Sequence, residues 1–230
     1  VIVTDALHLV LERPVWSALN EPQARLAQGS GLARRIDPAY GPFAAAATGC
    51  DDALGALLTD DRDEIWLIEQ AAVSPPPGTV VRKVAALAQL VAYGPVQADA
   101  GLDCVALGEA DVPDMTRLAL ATRPGPWGPA TWRYGPFYGV RRNGRLIAMA
   151  GERLRPAPGM IEVSGVCTDP AFRGQGLAGR LIRQVMAGHR ARGAASFLHS
   201  YADNIGAIAL YRALGFAACR ERVVTILGKA

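Results

Sequence analysis

Two apolar runs flank Asn143-Gly144 in "FYGVRRNGRLIAMAGERL", and that central pair is the one favoured in a two-residue type I′ turn, so the pattern predicts a β-hairpin. The next run, "GMIEVSGVCTDP", is rich in β-formers and is closed by Asp169-Pro170, a turn signal. From Leu177 the period lengthens. Leu177, Ala178, Leu181, Ile182, Val185 and Met186 fall on one helical face, Arg180, Arg183 and Gln184 lie outside it, and Gly193 stands where the helix should end. "ASFLHSY" then predicts a short strand, and "DNIGAIALYRAL" a helix capped by Asp203 or Asn204 and ended by Gly215. "FAACRERVVTIL" predicts a last strand. Ahead of the hairpin, "DVPDMTRLALAT" is a capped helix. It is followed by "RPGPWGPATWRYGP", a loop broken by Pro and Gly whose Trp127, Trp132 and Tyr134 either line a substrate mouth or cap the edge of the core.

The first hundred residues have a different rhythm. "GLARRIDPAYGPFAAAAT" suggests paired strands, "DDALGALLT" a short helix and "DEIWLIEQ" a strand. "SPPPG" is a break, and "VVRKVAALAQLVAYG" is a strand or a helix. The polar, small-residue stretch "GPVQADAGLDC" marks a boundary near residue 100, giving an expected N-terminal domain over residues 1–100 and a second over 101–230.

Composition narrows the function classes. The chain of 230 residues is half apolar, enough for a sizeable core, and its net charge of +3 is dispersed, with no basic run interleaved with aromatics. No nucleic-acid partner is expected. Cys50, Cys104, Cys167 and Cys219 are far apart, and His8, His189 and His199 are scattered, so the expectation is free thiols and no metal. The opening "VIVTDALHLVL" lacks a basic leader and no stretch is apolar for the length of a bilayer span, so the expected location is cytoplasmic, without membrane.

The glycines in "DPAFRGQGLAGRLIRQVM" carry the chemistry. A strand, a glycine-rich turn and a helix N-terminus present unpaired backbone N–H groups and the positive end of the helix dipole, which together suit a phosphate. A Walker loop is excluded, because Gly179 is followed by Arg180-Leu181 instead of Lys and a hydroxyl residue. "GQGLAG" matches a dinucleotide fingerprint literally through Gly174, Gly176 and Gly179, but a dinucleotide unit would place it near the start of a βαβαβ series, and here the chain nearly ends.

The segment "VCTDPAFRGQGLAGRLI" resembles the acetyl-CoA-binding segment of the GNAT superfamily of N-acetyltransferases, whose Gln/Arg-x-x-Gly-x-Gly/Ala pattern is met by Arg173, Gly176 and Ala178. "ADNIGAIALYRALGF" is similar to the family's next conserved helix, with Asn204, Tyr211, Leu214, Gly215 and Phe216 in order. The likeness spans roughly residues 104 to 228 and is closest to the FR47-like group. It implies an α/β (α+β) fold with a mixed central sheet and flanking helices, preceded by a smaller α/β domain that is a degenerate GNAT-like repeat.

The resemblance also implies residue roles. The backbone amides from Arg173 through Gly174, Gln175, Gly176 and Leu177 to Ala178 would grip the coenzyme A diphosphate. The main chain of Val166, Cys167 and Thr168 would pair with the pantetheine arm, and an N–H of that strand would face the developing oxyanion. Tyr211 corresponds to the phenol that protonates the departing thiolate in many members, although packing in its helix is the alternative. Asn204 caps its helix and touches cofactor or substrate. Glu162, an acid in an apolar strand, is the candidate base for the amine, acting directly or through water, with an exposed or salt-bridged role as the alternative. Strict alternation sets it with Ser164 and Val166 on one face and Ile161, Val163 and Cys167 on the other. The expected activity is acetyl transfer from acetyl-CoA directly to a primary amine, small-molecule or peptide, with no metal. The alternative is a non-catalytic acyl-CoA-binding sensor, and a homodimer is left open.

Overall fold

The computed structural model describes residues 5–230 apart from 93, 95, 97 and 100. Two short helices, α1 (Asp5–Val10) and α2 (Pro14–Asn20), lead into the strands β1 (Ala27–Gly29), β2 (Ala33–Ile36) and β3 (Ala44–Ala46). These three form a small antiparallel sheet. The strands β4 (Glu64–Glu69) and β5 (Thr79–Ala92) follow, then β6 (Val105–Leu107), α3 (Val112–Thr122), β7 (Phe137–Arg142), β8 (Arg145–Glu152) and β9 (Met160–Thr168). The chain ends with α4 (Leu177–Ala191), β10 (Ala195–Tyr201), α5 (Ile205–Ala213) and β11 (Phe216–Lys229).

The eight strands from β4 onward make one sheet in the order β4-β11-β5-β10-β9-β8-β7-β6. Only β9 and β10 run parallel to each other; the remaining neighbours are antiparallel. This is the mixed sheet with flanking helices expected from the sequence, with the small three-stranded sheet beside it. Strands β4 and β5 come from the first hundred residues and lie on either side of β11. Of the expected boundary segment near residue 100, Pro95, Gln97 and Ala100 lie outside the described residues.

Helices cover both faces of the sheet. The apolar stripe of α4, with Leu181 and Ile182 fully buried and Val185 and Met186 nearly so, packs on Val140, Ile147 and Val163. Each such side chain contributes about 1.5–3 kcal/mol when removed from water. On the opposite face, Met115 and Leu118 of α3 pack on Phe137, Leu146 and Met149. Trp127 and Trp132 rest against this second cluster and Tyr134 is buried in a third, so the rings of the Pro/Gly loop cap the core. The expected hairpin turn forms with φ of 50° at Asn143 and 77° at Gly144, the paired left-handed values of a type I′ turn.

Two departures from regularity open the site. The pairing of β9 with β10 runs only from Ala195↔Met160 to Phe197↔Glu162, after which the strands diverge. The register of β8 against β9 also slips between Met149 and Gly151, opposite Gly165. Gly165 has a φ of +62°, and a Cβ there would lie 2.7 Å from Cε1 of Phe137. Only glycine suits that backbone conformation at that distance. The bulge corrects the strict alternation expected for this strand. Val163 and Val166 both join the α4 side, whereas Cys167 joins the α3 side.

Candidate active site

The divergence of β9 from β10 leaves a cavity of about 770 Å³. Its middle is walled by Val166, Cys167 and Thr168, on the edge of β9 that β10 has left. Arg173, Gly174, Ala178, Asn204, Leu210 and Tyr211 line it where the glycine loop meets α5. Phe43, Trp66, Ile68, Leu87, Arg153, His199, Tyr201 and Val224 line it on the side of the first hundred residues. The start of the Pro/Gly loop, Arg123 to Pro126, lies along it as well.

The glycine loop forms an anion cradle. Asp169 accepts a hydrogen bond from Ala171 N (3.0 Å) and starts a one-turn 3₁₀ helix over Pro170–Phe172, which delivers the chain to Gly174 and Gly176. Both glycines are left-handed, with φ of +78° and +70°, and apart from their chain neighbours no atom of the described residues lies within 4 Å of where their side chains would be. No acceptor within the protein takes the N–H groups of residues 174–178 among the described residues. A 15-residue helix, α4, starts at that point, so its dipole adds to those free donors. Gly174 and Ala178 face the cavity itself, Gln175 and Gly176 are exposed, and the Leu177 side chain turns into the α4 core.

Tyr211 reaches the cavity from α5, its ring edge-on to Phe216 with centroids 6.1 Å apart. Burial pushes its phenol above the usual value, so it remains protonated at neutral pH. Asn204 caps α5, its Oδ1 accepting from Ala207 N at 3.3 Å, and lines the cavity too. Cys167 is buried and its thiol is pushed up to about 11, which leaves little thiolate for nucleophilic attack.

Glu162 lies behind the cavity wall and not in it. Nε and Nη2 of Arg153 each donate to one of its oxygens at 2.9 Å, and His199 Nδ1 contacts Oε1 at 2.7 Å. The residue is fully buried. Burial alone would push its carboxyl up, but Arg153 and His199 more than reverse that and hold it down to about 2. A carboxylate can only accept, so His199 carries its proton on Nδ1. Nε2 is then free to accept from Gln89 Nε2 at 3.0 Å, which also donates to Leu11 O at 3.1 Å. This corrects the reading of Glu162 as a directly acting base: its oxygens are engaged and its basicity is low.

Arg153, His199, Tyr201 and the rings of Phe43 and Trp66 were not singled out in the sequence. His199 and Tyr201 did carry a signal, since they alternate on one strand that ends at a proposed site. Phe43 and Trp66 reach the cavity only through tertiary packing.

Comparison with known proteins points to one family. Residues 112–216 match the family model described as acetyltransferase (GNAT) family. A crystal structure of a GNAT-family protein from Novosphingobium aromaticivorans DSM 12444 is 61% identical, with a TM-score of 0.94 over 96% of this chain and 99% of that one. A GCN5-related N-acetyltransferase from Kribbella flavida shares the fold at 20% identity, with a TM-score of 0.59 over 93% of each chain. The N-alpha-acetyltransferase RimI of Mycobacterium tuberculosis is 37% identical over 99 residues, which are 40% of this chain and 61% of that protein. The chain thus spans less than two thirds of that relative's length. The chain belongs to the GNAT acetyltransferase family.

Proposed function

We propose that the cavity transfers an acetyl group from acetyl-CoA directly to a primary amine. The observation that carries this reading is the unpaired amide cradle of residues 174–178 opening onto the same cavity as Tyr211. Acetyl-CoA supplies the activated thioester. The amides of residues 173–178 and the α4 dipole hold its diphosphate, and the backbone of Val166, Cys167 and Thr168 offers an unpaired strand edge to its pantetheine arm. N–H groups of that edge face the negative charge that builds on the acyl oxygen. Tyr211 gives the leaving thiolate a proton, and the proton that the acylated nitrogen sheds, passed through solvent, restores the phenol.

Deprotonation of the amine needs no carboxylate contact in this arrangement. Arg123 and Arg173 line the cavity beside Arg153, whose charge is offset by Glu162, and no Asp or Glu lines it among the described residues. A like charge disfavours the ammonium form, so the lining favours the neutral, nucleophilic amine. Glu162 acts as a positioning residue through Arg153 and His199. The likeness to RimI makes an N-terminal α-amine one acceptor consistent with this chemistry. Incubation with acetyl-CoA and an amine panel, followed by thiol release and mass spectrometry of the products, tests the reading. Acetylated amine supports it, and coenzyme A binding without any acetylated product would favour a sensor instead.

A further inference from the structure

We infer that the acceptor is a free amino acid with an apolar side chain, its carboxylate taken up by Arg153 and Arg123. This rests on the reading of the cavity as an acetyl-transfer site and goes beyond it by naming the acceptor class.

The Arg153 residue is 9% exposed, with its guanidinium over the Phe43 ring at 4.6 Å. Nε and Nη2 are committed to Glu162. Nη1 has no hydrogen-bond acceptor among the described residues, although Arg153 borders the cavity. Nη1 keeps contact with solvent at the cavity wall, so its two N–H groups are available to an anionic group there. Gly125, whose φ is +134°, packs beside it: a Cβ at that position would sit 3.5 Å from Nη1, an ordinary contact distance.

Charge decides what binds there. The Arg153–Glu162 pair is neutral as a unit, but Arg123 lines the same cavity and has no ion-pair partner among the described residues. Arg123 is held there as the left-handed C-cap of α3. Lys83 lies over the ring of Tyr201, itself a lining residue, at 4.4 Å. Polycationic amines need facing carboxylates, and none lines the wall among the described residues. A carboxylate beside the amine meets the free donors of Arg153 and the charge of Arg123. Trp66, Ile68, Leu87 and Val224 then offer an apolar wall for a side chain.

The test compares kcat/KM for L-leucine, L-leucinamide, a leucine-initiated tripeptide and putrescine, each expressed per unprotonated amine because an amide weakens its amine's basicity. L-Leucine should exceed the other three by about tenfold or more, since a site built to bond a group rejects analogues lacking it. The double variant Arg153→Gln with Glu162→Gln, which removes both buried charges together, should cut that ratio to about threefold or less. Should the double variant fail to fold, the wild-type ratio decides alone. Equal rates for leucine and leucinamide, or a preference for the tripeptide or putrescine, would overturn the acceptor assignment and leave acetyl transfer standing. Binding of acetyl-CoA with no amine acetylated would overturn both.

Discussion

Arg153 and Glu162 meet side-on, through two parallel N–H···O contacts of 2.9 Å, in a place where the glutamate is wholly shielded from water. The pair ties the end of β8 to β9 just where β9 parts from β10, and Glu162 Oε2 also accepts from Leu154 N at 3.2 Å. Removing one partner strands the other charge. Glu162→Gln should therefore cost about 3 kcal/mol, at the lower end for a broken buried pair. That corresponds to a fall in Tm of roughly 6–12 °C for a chain of this size, read by thermal melting.

The same pair sets an acid limit. The native Glu162 carboxyl is held at about 2 against an ordinary value of 4.5, so the unfolded chain takes up the proton first. The stabilisation is present above the unfolded value and is lost as pH falls from there toward 2, amounting to about 3 kcal/mol. Urea midpoints between pH 6 and pH 2.5 should drop steeply in the wild type below about pH 4.5, and the drop should be shallower in Glu162→Gln.

Tyr211→Phe separates packing from proton donation. The ring contact with Phe216 survives the change, and only the hydroxyl is lost. The expected result is a fall in kcat of about a hundredfold with KM for acetyl-CoA within about twofold. An unchanged kcat would leave Tyr211 a packing residue.

The bulge makes its own prediction. Gly165→Ala forces a left-handed alanine and brings its Cβ to 2.7 Å from the Phe137 ring. The two terms together should cost about 2–4 kcal/mol. Adding Phe137→Leu should relieve the steric part and leave the backbone part of about 1 kcal/mol, measured by denaturant unfolding.

Trp66 tests the contribution of the first hundred residues. Its indole Nε1 donates to Glu64 at 2.7 Å, and its ring stands edge-on to Phe43 at 6.3 Å on the cavity wall. Trp66→Ala should raise the acceptor KM by about tenfold, from lost apolar contact, while KM for acetyl-CoA stays unchanged.

Legibility in the sequence followed the range of the interactions. The α4 stripe, the Asn143-Gly144 hairpin and the glycine loop are set by neighbours within a turn or a strand, and each is found where the pattern predicts it. The strand-or-helix ambiguity over "VVRKVAALAQLVAYG" is resolved by pairing. That run is β5, held between β10 and β11, whose partners are more than a hundred residues away. Strict alternation along β9 failed because one glycine inserts a residue on one side only, and sequence period carries no mark of that. Glu162 was visible as an acid in an apolar strand. Its partner Arg153 was not, because only the folded β8–β9 pairing joins the two.

Calorimetric titration of the protein with coenzyme A and, separately, with pantetheine, which lacks the diphosphate, probes the amide cradle most directly. One site per chain for coenzyme A, at least about tenfold tighter than pantetheine, is the expected result. Equal affinities for the two, or no heat with coenzyme A, would contradict it.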